Sequence, residues 1–263
     1  MIIFPHGFKP KKSLGQYFLV SNKIADKLID ALDLQPTDNV LEIGAGTGIL
    51  TARLGMKAQK VYAVEIDKRL IPILQKTTEE FTNIEIIHQD ILKLDWLNLG
   101  RVKIIGNIPY FISSSILLKL LESVKIWDLA ILTVQIEFTH KLLAPPGKSG
   151  YCPTTVLFDY YTERKKLFSI PASWFRPSPK IVSAAIIIKK RIPPIFMSVD
   201  FNAFSTVVMA SFKQPRKTIA NNLSEFLNID KDDIIKKTDL DLNRRAETFS
   251  TIEFCRLTKD VWK

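Results

Sequence analysis

Four residues, Asn107-Ile108-Pro109-Tyr110, have the types and order for handling a nucleobase. They close an apolar run, Val102-Lys103-Ile104-Ile105-Gly106, that reads as a buried strand. Pro109 cannot donate to a sheet ladder, so the strand stops there. Asn107 supplies an amide that donates and accepts, and Tyr110 a flat ring beside it. Together they suit an exocyclic amino group and the ring that carries it. A strand-ending turn with a packed tyrosine explains the same residues about equally well. A second site upstream shifts the balance towards the base.

That site is Val40-Leu41-Glu42-Ile43-Gly44-Ala45-Gly46-Thr47-Gly48, an apolar strand running into alternate glycines, with a helical stretch expected over 49–57. Glycines there permit a tight turn and close approach of backbone to a ligand. The spacing is G-x-G-x-G and not the G-x-G-x-x-G of dinucleotide binders, so nothing marks a pyrophosphate site. A second strand, Lys60-Val61-Tyr62-Ala63-Val64-Glu65, ends in a carboxylate placed to accept from both hydroxyls of a ribose. A third, Ile84 to Asp90, ends in an acid placed to meet an adenine amino group.

The elements that must hold these groups follow from pattern. Strand-like runs at 39–44, 60–66, 84–90, 102–108 and 128–135 alternate with helical ones, which argues for a parallel sheet covered on both faces. Lys166–Ile170 and Ala184–Lys189 read as strands six and seven, separated by the Pro-rich segment Pro171–Pro179. Ligands of such open sheets sit beyond the carboxyl ends of the strands, where Glu65, Asp90 and Asn107 all fall. After Arg191-Ile192-Pro193-Pro194 the alternation gives way to short helical stretches such as 201–212 and 217–227. A large domain over 1–192 and a small helical one over 193–263 are expected.

The net charge of +10 favours a polyanionic partner. Residues 191–263 hold twelve Lys/Arg against ten Asp/Glu, so +8 of it lies in the first 190 residues, with the base-handling motif. Cys152 and Cys255 form no C-x-x-C, and three scattered histidines suggest no zinc site, so no metal is expected. No apolar run approaches the roughly 18 residues of a spanning helix. The start lacks the marks of a signal or transit peptide, which leaves a cytoplasmic, membrane-free protein as the expectation.

The set of motifs resembles the class I (Rossmann-like) methyltransferases that use S-adenosylmethionine, with N-I-P-Y as in their adenine-N6 branch. More narrowly, the chain is similar to the bacterial rRNA adenine N6,N6-dimethyltransferases of the KsgA type. Ser13-Leu14-Gly15-Gln16-Tyr17-Phe18-Leu19, Phe175 to Ala184 (F-R-P-S-P-K-I-V-S-A), Phe212 to Ile219 (F-K-Q-P-R-K-T-I) and Arg245-Ala246-Glu247 match that family's blocks in order, over roughly residues 9 to 260. Tyr17 stands where the family has Asn or His, and Cys152 where it usually has glycine.

The resemblance implies a seven-stranded, mostly parallel sheet with a reversed seventh strand and a small all-α carboxyl-terminal domain. It implies dimethylation of two adjacent adenosines near the 3′ end of small-subunit rRNA, by a monomer acting on an immature 30S-type subunit. Cofactor contacts fall on Gln16, Tyr17, Leu19, Gly44, Gly46, Glu65, Ile66, Asp90, Ile91 and Asn107. The target base falls to Asn107, Ile108, Pro109 and Tyr110, with Phe175 either a second stacking face or a loop aromatic anchoring Pro177 and Pro179 to the core, and Phe111 expected in the core. RNA phosphates fall to Lys9, Lys11 and Lys12 of the amino-terminal arm and to Lys213, Arg216 and Lys217. Arg244 and Arg245 could equally pair with acids nearby. A large-subunit rRNA methyltransferase conferring antibiotic resistance shares N-I-P-Y but not the carboxyl-terminal blocks. A non-catalytic nucleic-acid-binding factor on the same fold would not need both motifs intact, and a nicotinamide oxidoreductase fails on the glycine spacing.

Overall fold

The computed structural model describes residues 8–195 and 199–262. In chain order the elements are β1 (Phe18–Leu19), α1 (Asn22–Ala31), β2 (Asn39–Ile43), α2 (Thr51–Gly55), β3 (Lys60–Glu65), α3 (Ile71–Thr77), β4 (Ile84–His88), β5 (Val102–Asn107), α4 (Ser113–Glu122) and β6 (Trp127–Gln135). There follow α5 (Ile136–Leu142), α6 (Pro153–Tyr161), β7 (Thr162–Ile170), β8 (Phe175–Arg176), β9 (Ser183–Lys190), α7 (Phe201–Ser211), α8 (Ile219–Leu227), α9 (Lys231–Ile235) and α10 (Thr251–Val261).

Seven strands form one sheet in the order β4-β3-β2-β5-β6-β9-β7. The pairs from β4 through β6 are parallel, and β9 runs antiparallel to β6, as the resemblance implies. All seven expected strands are present. The central ones, β2, β5 and β6, are nearly continuous apolar runs because both faces are covered. α1 shows how a covering helix is specified. Ser21 caps it by accepting from the Ile24 amide, and Ile24, Ala25, Leu28 and Ile29 recur at helical spacing and are buried. Sequence pattern gave no hint of a two-stranded ribbon in which Phe18 and Leu19 pair with Arg176 and Phe175. Two residues are too few to show a period, and the partners lie far apart in the chain.

The chain separates into two compact units, residues 1–139 with 164–190, and residues 140–163 with 191–263. The second unit thus takes in the end of α5 from His140 and all of α6 as well as the four later helices. Within it, Ser250 and Glu253 form a reciprocal capping box at the start of α10. Tyr151 donates its hydroxyl to the Phe249 carbonyl at 2.7 Å.

At the centre of the sheet β2 and β5 crowd together. A β-carbon at Gly106 would fall 2.8 Å from the Ile43 carbonyl oxygen and 2.9 Å from its Cβ. Gly106 is therefore demanded by proximity, and it sets the residue before Asn107 directly against the residue before Gly44.

Candidate active site

The glycine turn leaves β2 with Gly44 at φ +74° and Gly46 at φ +60°, in the left-handed region that only glycine adopts without strain. The turn is fastened to β3. The Gly44 and Ala45 amides donate to the Val64 carbonyl, both at 3.0 Å, and the Gly46 amide donates to Glu65 Oε2 at 2.8 Å. The other oxygen, Glu65 Oε1, accepts from the Asp67 amide at 2.8 Å. Glu65 is buried, and burial pushes its carboxyl above the usual range against the pull of those two amides.

Asn107 ends β5, and its Nδ2 donates to the Tyr17 carbonyl at 2.7 Å. Because the amide donor is used there, Oδ1 is the atom left to accept, and among the described residues nothing donates to it. The Ile108 amide is held by the Thr133 carbonyl at 3.1 Å, which fixes the peptide plane that follows Asn107. Tyr110 shares a 2.7 Å hydrogen bond with Ser183 Oγ, and burial pushes its phenol upward. The rings of Tyr17 and Tyr110 stack, 5.5 Å between centroids and 22° between planes. Tyr17, expected among the cofactor contacts although it departs from the family's residue, thus reaches the site with both backbone and ring.

One cleft unites most of the expected residues: Gln16, Tyr17, Gly44, Gly46, Glu65, Ile66, Asn107, Ile108, Pro109 and Tyr110 line it. Leu14, Gly15, Phe18 and Leu70 line it as well. Four expected residues do not. Leu19 is buried in the ribbon opposite Phe175, and Ile91 is buried with its carbonyl accepting from the Trp96 indole. Asp90 turns Oδ1 onto the Leu92 amide. Phe175 is fully buried in the main core, so it presents no face to a base here. It sits on a strand, and pattern could not show that this strand is covered. Phe111 corrects in the other direction: expected in the core, it is 66% exposed.

Asp67 and Arg69 went unremarked in the sequence, yet they latch the arm. Asp67 is buried and accepts from Gln16 Nε2 at 2.8 Å and from the Arg69 guanidinium, which holds its carboxyl far below the usual carboxylate range. Gln16 Oε1 accepts from the Lys11 amide, and Arg69 donates to the Lys9 carbonyl. The Lys9 and Lys11 side chains stay exposed. The Lys12 side chain lies outside the described residues. The second acid of Glu65-Ile66-Asp67 was the available signal.

Behind the glycine turn Glu42 is fully buried, and its Oε2 has no hydrogen-bond partner. It lines a small cavity with Gly44, Gly46 and Asn107. Burial pushes its carboxyl up to about 8, and the charge of Glu65 pushes the same way. The unfolded chain ionises near 4.5 while the native one keeps its proton, so stability is greatest below that value and drains as pH rises towards about 8. The slope is at most about 1.4 kcal/mol per pH unit. Glu42→Gln should flatten the fall in Tm between pH 5 and 8 and raise Tm at pH 8. Parallel thermal profiles for the two proteins would refute this account of Glu42.

In the helical unit, Asn222 clamps the turn that carries Lys213, Arg216 and Lys217. Buried, it donates to the Ser211 and Gln214 carbonyls and accepts from the Gln214 amide. Lys217 pairs with Glu225 at 2.9 Å, whereas Lys213 and Arg216 make no ion pair among the described residues. Arg244 is structural: it bonds Glu253 at 2.6 Å and lies over the Phe249 ring. Among the described residues no group of three or more His, Cys, Asp or Glu could hold a metal ion, and no helix is long and apolar enough to cross a membrane.

The model of the family "Ribosomal RNA adenine dimethylase" matches residues 7–262, nearly the whole chain. The chain belongs to the ribosomal RNA adenine dimethylase family. It is an rRNA adenine dimethyltransferase, of a kind that uses S-adenosylmethionine as methyl donor. Similar curated relatives are the Ribosomal RNA small subunit methyltransferase A of Geobacillus sp. (strain WCH70), 38% identical over 98% of this chain and 93% of the relative, and that of Shouchella clausii, 37% identical over 99% and 93%. Among solved structures, a dimethyladenosine transferase from Plasmodium falciparum superposes with a TM-score of 0.79 at 26% identity, covering 91% of this chain and 95% of that one. The 23S rRNA methyltransferase ErmE shares the fold, with a TM-score of 0.74 at 24% identity over 94% of this chain and all of that one. Membership of the dimethylase family accounts for the glycine turn and N-I-P-Y in one chain.

Proposed function

We propose that this family member dimethylates N6 of two adjacent adenosines near the 3′ end of small-subunit rRNA, within an immature subunit. The observation that supports it best is the amide of Asn107, turned by the Tyr17 carbonyl so that Oδ1 is its available acceptor. An adenine amino group presents two hydrogens, and its nitrogen lone pair is delocalised into the ring. Acceptance of those hydrogens by Asn107 Oδ1 and the Ile108 carbonyl draws the nitrogen towards tetrahedral geometry and frees the lone pair. Tyr110 stacks on the base; one of its faces carries Tyr17, so the base takes the other face or Tyr17's place. Such a stack is worth roughly 1–3 kcal/mol. The target must leave its own stack to enter the cleft. The work of the chain is positioning and electrostatics.

The cleft fits S-adenosylmethionine. Glu65, oriented by two backbone amides, suits a ribose diol, and the partnerless Glu42 Oε2 behind the glycine turn suits the polar end of a ligand. Gln16, Tyr17, Gly44, Gly46, Ile66 and Asn107 would complete its seat. When bound, it supplies an activated methyl group with a good leaving group. Asp90 and Ile91 enter this reading only by the resemblance.

The substrate reading draws on the curated relatives, which are named for the small subunit. Its direct test is mass mapping of N6,N6-dimethyladenosine in rRNA from cells with and without the gene. An unmodified small-subunit site in both, or loss of a large-subunit methyl group, would overturn it. RNA architecture is the task of Lys9, Lys11 and Lys12 and of the turn clamped by Asn222. Neutralising Lys213, Arg216 and Lys217 together should weaken subunit binding and flatten its salt dependence, because each phosphate contact releases counterions. Lys213 and Arg216 should carry most of that, since Lys217 is paired. Cofactor affinity should hold, as none of the three lines the cleft. Unchanged salt dependence in a filter-binding titration would make this turn structural only.

A further inference from the structure

Phe111 directly follows Tyr110 in a one-turn 3-10 helix, Tyr110–Ile112, yet it is 66% exposed. A phenyl group left in water beside a base-handling tyrosine asks for a function. Its position is fixed from below. A β-carbon at Gly15 would fall 3.0 Å from Phe111 Cε1 and 3.1 Å from Cδ1, so the ring rests against the backbone of the arm where a side chain would otherwise stand. Pro109 closes the same spot, with its Cβ 3.2 Å from that position. Among the described residues no other aromatic ring stacks on Phe111. The arm beneath brings cations: the Lys11 carbonyl accepts from the Leu14 amide, its amide is held by Gln16, and its side chain is exposed.

We infer that Phe111 is a stacking platform for the nucleobase next in sequence to the adenine held by Asn107 and Tyr110. The inference rests on that reading of Asn107 and Tyr110. An aromatic face resting on an arm that carries exposed lysines, Lys9 and Lys11, is a combination that suits unpaired strands, the ring taking a base and the cations its phosphates. The reaction creates the need. Drawing one base out of the helix strips its neighbour of a stacking partner, and a replacement face lowers the cost of extrusion. While Tyr17 lies against one face of Tyr110, the other face has room for a single base. A lone exposed phenylalanine needs no explanation on a general surface. This one is propped on a glycine that leaves room for it, at the rim of the cleft.

The test is steady-state methylation of small subunits by Phe111→Ala, Phe111→Leu and Phe111→Trp, with cofactor affinity measured by calorimetry. Phe111→Ala and Phe111→Leu should raise KM for the subunit about tenfold with little change in kcat, and Phe111→Trp should restore it. A direct probe is an RNA oligonucleotide with 2-aminopurine beside the target adenosine. Its fluorescence should be quenched on binding the wild-type enzyme and much less on binding Phe111→Ala. If Phe111→Leu matched wild type, the ring would act only as apolar cover and the inference would fail. It would fail equally if Phe111→Ala weakened cofactor affinity as much as it raised KM, since the ring would then serve to fold the arm. Because these readouts follow binding, they stand apart from turnover by Asn107→Ala, which tests the parent reading.

Discussion

Asn107→Ala should lower the rate of methyl transfer by about two to three orders of magnitude, the usual cost of losing a positioned hydrogen-bonding group that acts on the reacting atoms. Asn107 Oδ1 is the acceptor that holds the target amino group, and alanine offers none. The fold should survive, because the half-buried side chain makes a single hydrogen bond, to the Tyr17 carbonyl. Losing that bond loosens the arm, so cofactor affinity should fall, but by less than turnover. Asn107→Asp separates the two roles of the amide. It keeps acceptors for the substrate but sets a carboxylate oxygen against the Tyr17 carbonyl, so the arm is repelled. Cofactor affinity should then fall further than in Asn107→Ala. Single-turnover methylation with saturating cofactor, beside calorimetry, reads both quantities. A near wild-type rate in Asn107→Ala would remove N-I-P-Y as the reactive element.

The sheet was legible because its signals are local. Buried strands such as Ile104-Ile105 and Ile186-Ile187-Ile188 are apolar runs that end in a glycine, an acid or a charge, and each element declares itself within a few residues. The glycine turn and Glu65 were legible for the same reason: the residue types that a tight turn and a ribose demand are few. What escaped was set by distant contacts. Phe175 and Leu19 pair in the small ribbon although 156 positions separate them, and their burial depends on that pairing. Tyr17 was expected to touch the cofactor, but its ring departs from the family's residue, and its stack on Tyr110 is a contact between segments far apart in the chain. Phe111 was misplaced because an aromatic beside a motif is as apolar in sequence on the rim as in the core. Asp67 hid behind Glu65: two acids two residues apart read as one function until Gln16 and Arg69 are seen to meet the second.

Glu65→Ala should cost the cofactor more affinity than any other single change in the cleft outside Asn107. Hydrogen bonds to a charged acceptor are worth roughly 1.5–3 kcal/mol each, and a ribose diol offers two, so a loss of at least about a hundredfold is expected. Part of the loss is indirect. The same carboxylate gathers the Gly46 and Asp67 amides, and without it both buried donors are orphaned and the glycine turn is held to β3 only by the Gly44 and Ala45 amides on the Val64 carbonyl. Glu65→Gln distinguishes the two contributions. Its amide can accept one of these backbone donors but presents its own N–H to the other, so it should sit nearer to Glu65→Ala than to wild type in Tm as well as in affinity. A surface acid would tolerate the same change. Burial also raises the Glu65 carboxyl, so wild-type affinity should begin to decline on acidification sooner than for an ordinary carboxylate, as the proton competes for the acceptor oxygens. In Glu65→Gln that part of the pH dependence should vanish. Calorimetry between pH 5 and 8 reads all of this at once. Equal affinity for wild type and Glu65→Ala would move the ribose elsewhere in the cleft, and a pH profile unchanged in Glu65→Gln would assign the titration to another group.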